Sequence, residues 1–90
     1  AYEPVWAISA NPGAEPDTPE NTLEAIKIIQ EFLGSRFQVP GFRFLYGGSV
    51  NEKNVADFLS RPEISGAVIG GASLREDEFA NILRIVSEIE

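Results

Sequence analysis

Ninety residues suffice for one small domain with little to spare, because a chain of this size buries only a modest fraction of its surface. Hydrophobic content of 43% with 23% charge excludes wholesale disorder. Fourteen acidic against seven basic residues give a net charge of -7, which opposes binding to nucleic-acid backbones and anionic membranes.

With no cysteine there is no disulfide framework and no thiolate chemistry, and with no histidine any acid–base work falls to carboxylates, Lys or Tyr. The longest apolar runs fall far short of the roughly 20 residues that span a bilayer, and no basic-then-apolar leader is present. A reducing compartment, the cytoplasm, is the expected location.

The chain opens on AYEPVWAIS, which reads as the end of a strand running into a loop, with Glu3 on its last turn. Residues 9–19 hold Pro12, Gly13, Pro16 and Pro19 and read as a long, stiffened loop. Residues 18–33 carry Ala25, Ile26, Ile28, Ile29, Phe32 and Leu33 at helical spacing opposite Glu20, Glu24, Lys27 and Glu31, so an amphipathic helix is expected. Thr18 is its N-cap, Pro19 its first residue and Gly34 its stop.

Phe42 to Tyr46 predicts a strand ending in Gly47-Gly48-Ser49. Asn51 is placed to cap a second helix, with Val50 and Val55 as a hydrophobic staple and Pro62 beyond its end. Residues 66–69 (GAVI) are apolar without alternation, as in a parallel strand covered on both faces, and run into Gly70-Gly71. Ser73 and Glu76 form an S-x-x-E capping box before a last helix with Phe79, Ile82, Leu83, Val86 and Ile89 on its apolar side. The order is that of an α/β protein with three βα units and parallel strands.

In such architectures functional groups gather where strands run out into loops. A single Gly-Gly after a strand is usually a tight turn, but two in adjacent units, with Ser73 at a helix start, point to an anion site. Taken alone, Glu3 reads as a solvated surface acid, Trp6 as core, and Asp17, Asp57 and Asp77 as solvated charge without metal-ligand spacing.

In combination, AYEPVWAI, LYGGSVN and VIGGASL, in this order and spacing, resemble the last three βα units of triosephosphate isomerase, and the likeness covers essentially the whole chain. The resemblance implies a partial TIM (β/α)8 barrel, with residues 1–90 the C-terminal portion of one barrel domain. It also implies a reaction, the interconversion of dihydroxyacetone phosphate and glyceraldehyde 3-phosphate in glycolysis and gluconeogenesis, with no cofactor and no metal.

By the same resemblance Glu3 is the catalytic base, and Ser49, Gly70, Gly71 and Ser9 contact the substrate phosphate. Pro4, Val5 and Trp6 form the leading hinge of a lid loop that Tyr46 latches. Where the family has a glycine-threonine-glycine lid tip, this chain has Ser9-Ala10-Asn11-Pro12-Gly13 in a longer loop.

The family's lysine and histidine lie on earlier strands. The chain is therefore expected to be a truncated piece or one chain of a split enzyme, inactive alone. Its expected partners are a chain carrying the first five βα units, further copies of the completed barrel, and a phosphorylated triose, with no nucleic acid or membrane. Two alternatives stand beside this: another phosphate-binding barrel enzyme, and a non-catalytic α/β interaction fragment or self-assembled partial barrel.

Overall fold

The computed structural model describes residues 1–37 and 41–89, and in it short parallel strands alternate with helices. Tyr2 enters first, in an isolated parallel bridge to Tyr46. Its N–H donates to the Leu45 carbonyl and its carbonyl accepts from the Gly47 N–H, both at 2.8 Å. A short 3-10 turn, Val5–Ala7, follows.

Helix α1 spans Pro19–Phe37. Its start is the expected one, since the Asn21 N–H donates to Thr18 Oγ1 at 3.1 Å and Pro19 is the first helical residue. Its end is not. Gly34 lies inside the helix, because glycine stops a helix when it takes a left-handed conformation, and the glycines that do so are Gly13 and Gly41, with φ of 72° and 79°.

Strands β1 (Leu45–Tyr46) and β2 (Gly66–Ala67) pair in parallel, Leu45 opposite Gly66 and Tyr46 opposite Ala67. Flanking bonds from the Ser65 N–H to the Phe44 carbonyl (2.7 Å) and from the Val68 N–H to the Tyr46 carbonyl (2.9 Å) lengthen the ladder slightly. Both strands are shorter than expected. The uniform apolar run at 66–69 is not covered on both faces either: Val68 is 40% exposed, and among the described residues β2 has β1 as its one neighbour.

Helix α2 spans Val55–Leu59 and starts one turn later than expected, with Asn54 at its N-cap position but making no side-chain cap bond. Asn51 Oδ1 accepts from the N–H groups of Lys53 and Asn54 at 2.8 and 3.0 Å, and Asn54 Oδ1 accepts in return from the Asn51 N–H at 2.8 Å. This reciprocal pair satisfies a turn ahead of the helix and leaves Val50 and Val55 both buried, as the staple requires.

Helix α3 spans Glu76–Ser87 with Arg75 at its N-cap, so the Ser73–Glu76 capping box does not form. Gly71–Leu74 winds into a 3-10 turn instead, and Ser73 Oγ donates to the Gly70 carbonyl at 2.6 Å. The helix start moves past Ser73, and Glu76, Asp77 and Glu78 occupy the first turn, where the backbone dipole favours anions.

The core gathers Ile26 from α1, Phe44 and Tyr46, Val50, Val55 and Phe58 around α2, Ile64, Ala72, and Ile82 from α3. At its centre the rings of Tyr46 and Phe58 stack with centroids 4.0 Å apart and planes 4° from parallel. Other apolar side chains stay out: Ile28, Phe32, Leu74 and Leu83 are more than half exposed. No described helix is long and apolar enough to cross a membrane.

Candidate functional site

The segments that follow Tyr2, β1 and β2 meet at one end of the sheet. Glu3, the residue after the Tyr2 bridge, carries an exposed carboxylate on a stem packed against Gly47, where an added Cβ would stand 2.5 Å from Glu3 Cγ. At Gly48 a Cβ would meet Tyr46 Cζ at 2.6 Å and the Ala7 Cβ at 2.8 Å. The first glycine pair is thus more than a tight turn: Glu3, Ala7 and Tyr46 crowd its backbone, and a side chain there has no room.

Beyond the glycines lies a cavity of about 250 Å³ whose walls include Ser9, Ser49, Gly70 and Gly71. The structure therefore brings together all four residues that the sequence nominated for phosphate. Pro16 and Arg75, which the sequence reading passed over, also line it. Ser49 Oγ is engaged, donating to the Ala7 carbonyl at 2.5 Å, so that loop is left to offer its backbone to a ligand. Gly71 has no positive φ, and a Cβ there would make ordinary contact, 3.6 Å from Ser9 Oγ.

Ser73 does not stand at the start of a long helix, so the expected dipole at Ala72-Ser73 is displaced to α3, behind three carboxylates. A larger cavity of about 480 Å³ lies between Glu52, Arg75, Glu76, Asp77, Glu78 and Asn81. Its carboxylates repel phosphate, so chemistry and not volume selects the smaller cavity. Among the described residues no group of three or more His, Cys, Asp or Glu side chains converges as a metal site.

The loop between Val5 and Asp17 folds back on its own stem. Asn11 Nδ2 donates to the Val5 carbonyl at 2.9 Å and the Glu15 N–H to the Trp6 carbonyl at 3.0 Å. Pro4 is buried, whereas Val5 and Trp6 are exposed, so Trp6 is not the core residue its size alone suggests. Tyr46 is wholly buried, and its hydroxyl accepts from the Asp17 N–H at 3.0 Å.

Asp17 itself corrects the sequence reading. It is buried, not solvated, with Oδ1 accepting from Asn21 Nδ2 and Oδ2 from Thr22 Oγ1, both at 2.8 Å. The one local signal for this was an acid four and five residues before Asn and Thr at a helix start.

The sequence model of the family described as triosephosphate isomerase matches residues 1–86. The chain belongs to the triosephosphate isomerase family. It is 49% identical over 86 residues to the triosephosphate isomerase of Thermus thermophilus, covering 94% of this chain and 34% of that protein. To the Rhodococcus jostii triosephosphate isomerase it is 42% identical over 87 residues, covering 97% and 33%. A crystal structure of triosephosphate isomerase from Bartonella henselae superposes with a TM-score of 0.72 at 36% identity, over 97% of this chain and 33% of that one. The chain spans about one third of the length of the curated relatives it matches.

In this member of the triosephosphate isomerase family, the environment of Tyr46 also sets a pH dependence. Burial pushes its phenol above the usual 10.0, more than the Asp17 N–H, which favours the phenolate, pulls it back. Tyr2 is raised too, by burial and then by the Asp17 charge. Because the folded form holds these protons more tightly than the unfolded chain, their stabilising contribution is complete below about pH 10. It is lost as pH rises through the raised values. Urea midpoints measured from pH 7 to 11 should therefore fall only above about 10, and Tyr46→Phe should blunt that fall. An equal fall in the variant would assign the effect elsewhere.

Proposed function

We propose that this chain supplies the general base and the phosphate-holding loops of a triosephosphate isomerase, as the last three βα units of its barrel. The reaction is the interconversion of dihydroxyacetone phosphate and glyceraldehyde 3-phosphate in glycolysis and gluconeogenesis, in the cytoplasm. Glu3 removes a proton from the hydroxyl-bearing carbon of the ketone and the electrons of that bond form an enediolate; the proton of that carbon's hydroxyl passes to the former carbonyl oxygen through a group outside these residues, and the Glu3 carboxyl returns its proton to the neighbouring carbon, leaving the aldehyde. Nothing else is gained or lost, and no cofactor is called for.

The observation that carries this reading is the single cavity lined by Ser9, Ser49, Gly70 and Gly71, next to the glycine against which Glu3 packs. Backbone N–H groups from two glycine-bearing loops suit a phosphate, as neutral donors in a confined space do. Tyr46, bonded to the Asp17 N–H, holds the loop over it.

The group that stabilises the enediolate lies outside these residues, since the chain has no histidine. One such donor is worth about 3–4 kcal/mol of barrier, so the chain alone is expected to turn over only in traces. The exposed edge of β2 and the uncovered Leu74, Val68 and Leu83 support a partner carrying the first five βα units, with the completed barrel associating further. The same uncovered surface favours a second reading, a non-catalytic α/β interaction piece.

An isomerase assay separates the two. Adding a chain with the first five units should raise activity far above that of either piece, and Gly71→Val, whose side chain grows into the cavity toward Ser9, should raise KM several-fold in the complex. Absence of activity in a well-formed complex would sink the catalytic reading.

A further inference from the structure

We infer that Asp17 is a positioning residue, whose carboxylate pins the trailing end of the loop 8–16 so that Pro16 and Ser9 stay in the wall of the anion cavity. The inference rests on reading that cavity as a phosphate site.

Three bonds converge on one residue. The two oxygens of Asp17 are held by Asn21 and Thr22, which belong to the first turns of α1 and are fixed by the cap at Thr18. With its side chain anchored to the helix, the Asp17 N–H is presented to Tyr46 Oη across a separation of 29 residues. Tyr46 is itself immobilised by its stack on Phe58 and by burial. The trailing end of the loop is therefore anchored both to α1 and to the core.

What that anchor holds is the cavity wall. Pro16 lines the cavity, adjoins Asp17, and has a fixed φ, so its placement follows that of Asp17. Ser9, at the other end of the loop, lines it too. The stem between them is closed by the Glu15 to Trp6 bond, so slack at Asp17 loosens Pro16 directly and passes across the stem toward Ser9, where Ser49 still holds the Ala7 carbonyl.

A carboxylate suits this task better than a neutral side chain because its two oxygens accept from two donors at once and charge-assisted bonds are the stronger ones. The energetic cost of burying the charge is met by those donors, and no buried polar side-chain atom among the described residues lacks a partner.

Nuclear magnetic resonance of the full chain tests this, with amide hydrogen exchange as one readout and titration with inorganic phosphate as the other. Asp17→Ala should cost the residue-17 amide at least about tenfold in protection while the Ile82 amide in α3 keeps its own, and the phosphate Kd should rise about fivefold. Thr22→Val, which removes one donor and keeps the shape, should move both readouts in the same direction by less. It carries the test if the alanine variant does not fold. Asp17→Asn should recover part of the loss.

If the wild-type chain gives no response to phosphate, the anion-site reading fails and the inference falls with it. If the wild type binds and Gly71→Val weakens binding, but Asp17→Ala and Thr22→Val bind phosphate as the wild type does, the cavity stands and the positioning role alone is overturned. Unchanged protection of the residue-17 amide in both variants overturns it as well.

Discussion

Glu3→Gln is expected to lower the turnover of the completed isomerase by roughly 10²–10⁴-fold, the range that a positioned general base supplies. Glutamine has the length and shape of glutamate, so the stem should keep its packing against Gly47 and the Tyr2 bridge should persist. What it lacks is a basic oxygen. Since the proposed phosphate contacts lie at other residues, KM should change little, and kcat and kcat/KM should fall together, as they do when an interaction of the transition state alone is removed. Steady-state kinetics of the complex, with assembly checked by sedimentation, decides the matter. Activity within tenfold of the parent at unchanged assembly would mean that Glu3 is not the base.

Phe58→Ala should have the largest effect on stability, about 3–5 kcal/mol, because it empties the middle of the core. The ring is 1% exposed and lies flat against Tyr46. Against the 5–15 kcal/mol that domains typically have in hand, such a loss leaves a 90-residue chain marginal or unfolded. Phe32→Ala is the internal comparison. That ring is 53% exposed with the Arg36 guanidinium 5.2 Å above it, and its removal should cost less than about 1 kcal/mol. Urea unfolding of both variants checks the contrast, and equal losses would show that the Tyr46–Phe58 stack is not the centre of the core.

Local order was legible wherever the cause was local. Helices α1 and α3 and the Thr18 cap follow from side chains three and four residues apart, and the structure has them, with Ile26 and Ile82 buried, while Ile28, Phe32 and Leu83 of the expected stripes stay exposed. The glycine pairs announced a gathering of loops because a glycine after a strand is informative about what approaches it. Failures came where a distant partner decides. Asp17 looked solvated because acids usually are; its carboxylate is held by Asn21 and Thr22, but the contact that places its backbone, Tyr46, is 29 residues away.

Ser73 and Glu76 have the spacing of a capping box, but the glycines before them permit a 3-10 turn that spends the Ser73 hydroxyl on Gly70. The run at 66–69 is composed for cover on two faces, and within these residues Val68 is left 40% exposed. Hydrophobic pattern reports the environment a segment is built for, and these 90 residues, which span a third of their relatives' length, do not provide all of it.

The crowding at Gly48 has a bearing on how this chain can vary. One small volume is shared by the Tyr46 phenol, the Ala7 methyl and the space where a side chain at 48 would grow. Three positions, two of them close together in the chain and the third some forty residues away, are therefore bound by a single sum of sizes. Enlarging any one is tolerated only if its neighbours shrink, and because a methyl at 48 would stand 2.6 Å from Tyr46 Cζ and 2.8 Å from the Ala7 Cβ, Gly48→Ala calls for a smaller residue at 46 and not at 7 alone. In a library that randomises these sites together, survivors would be found in pairs and seldom as single changes.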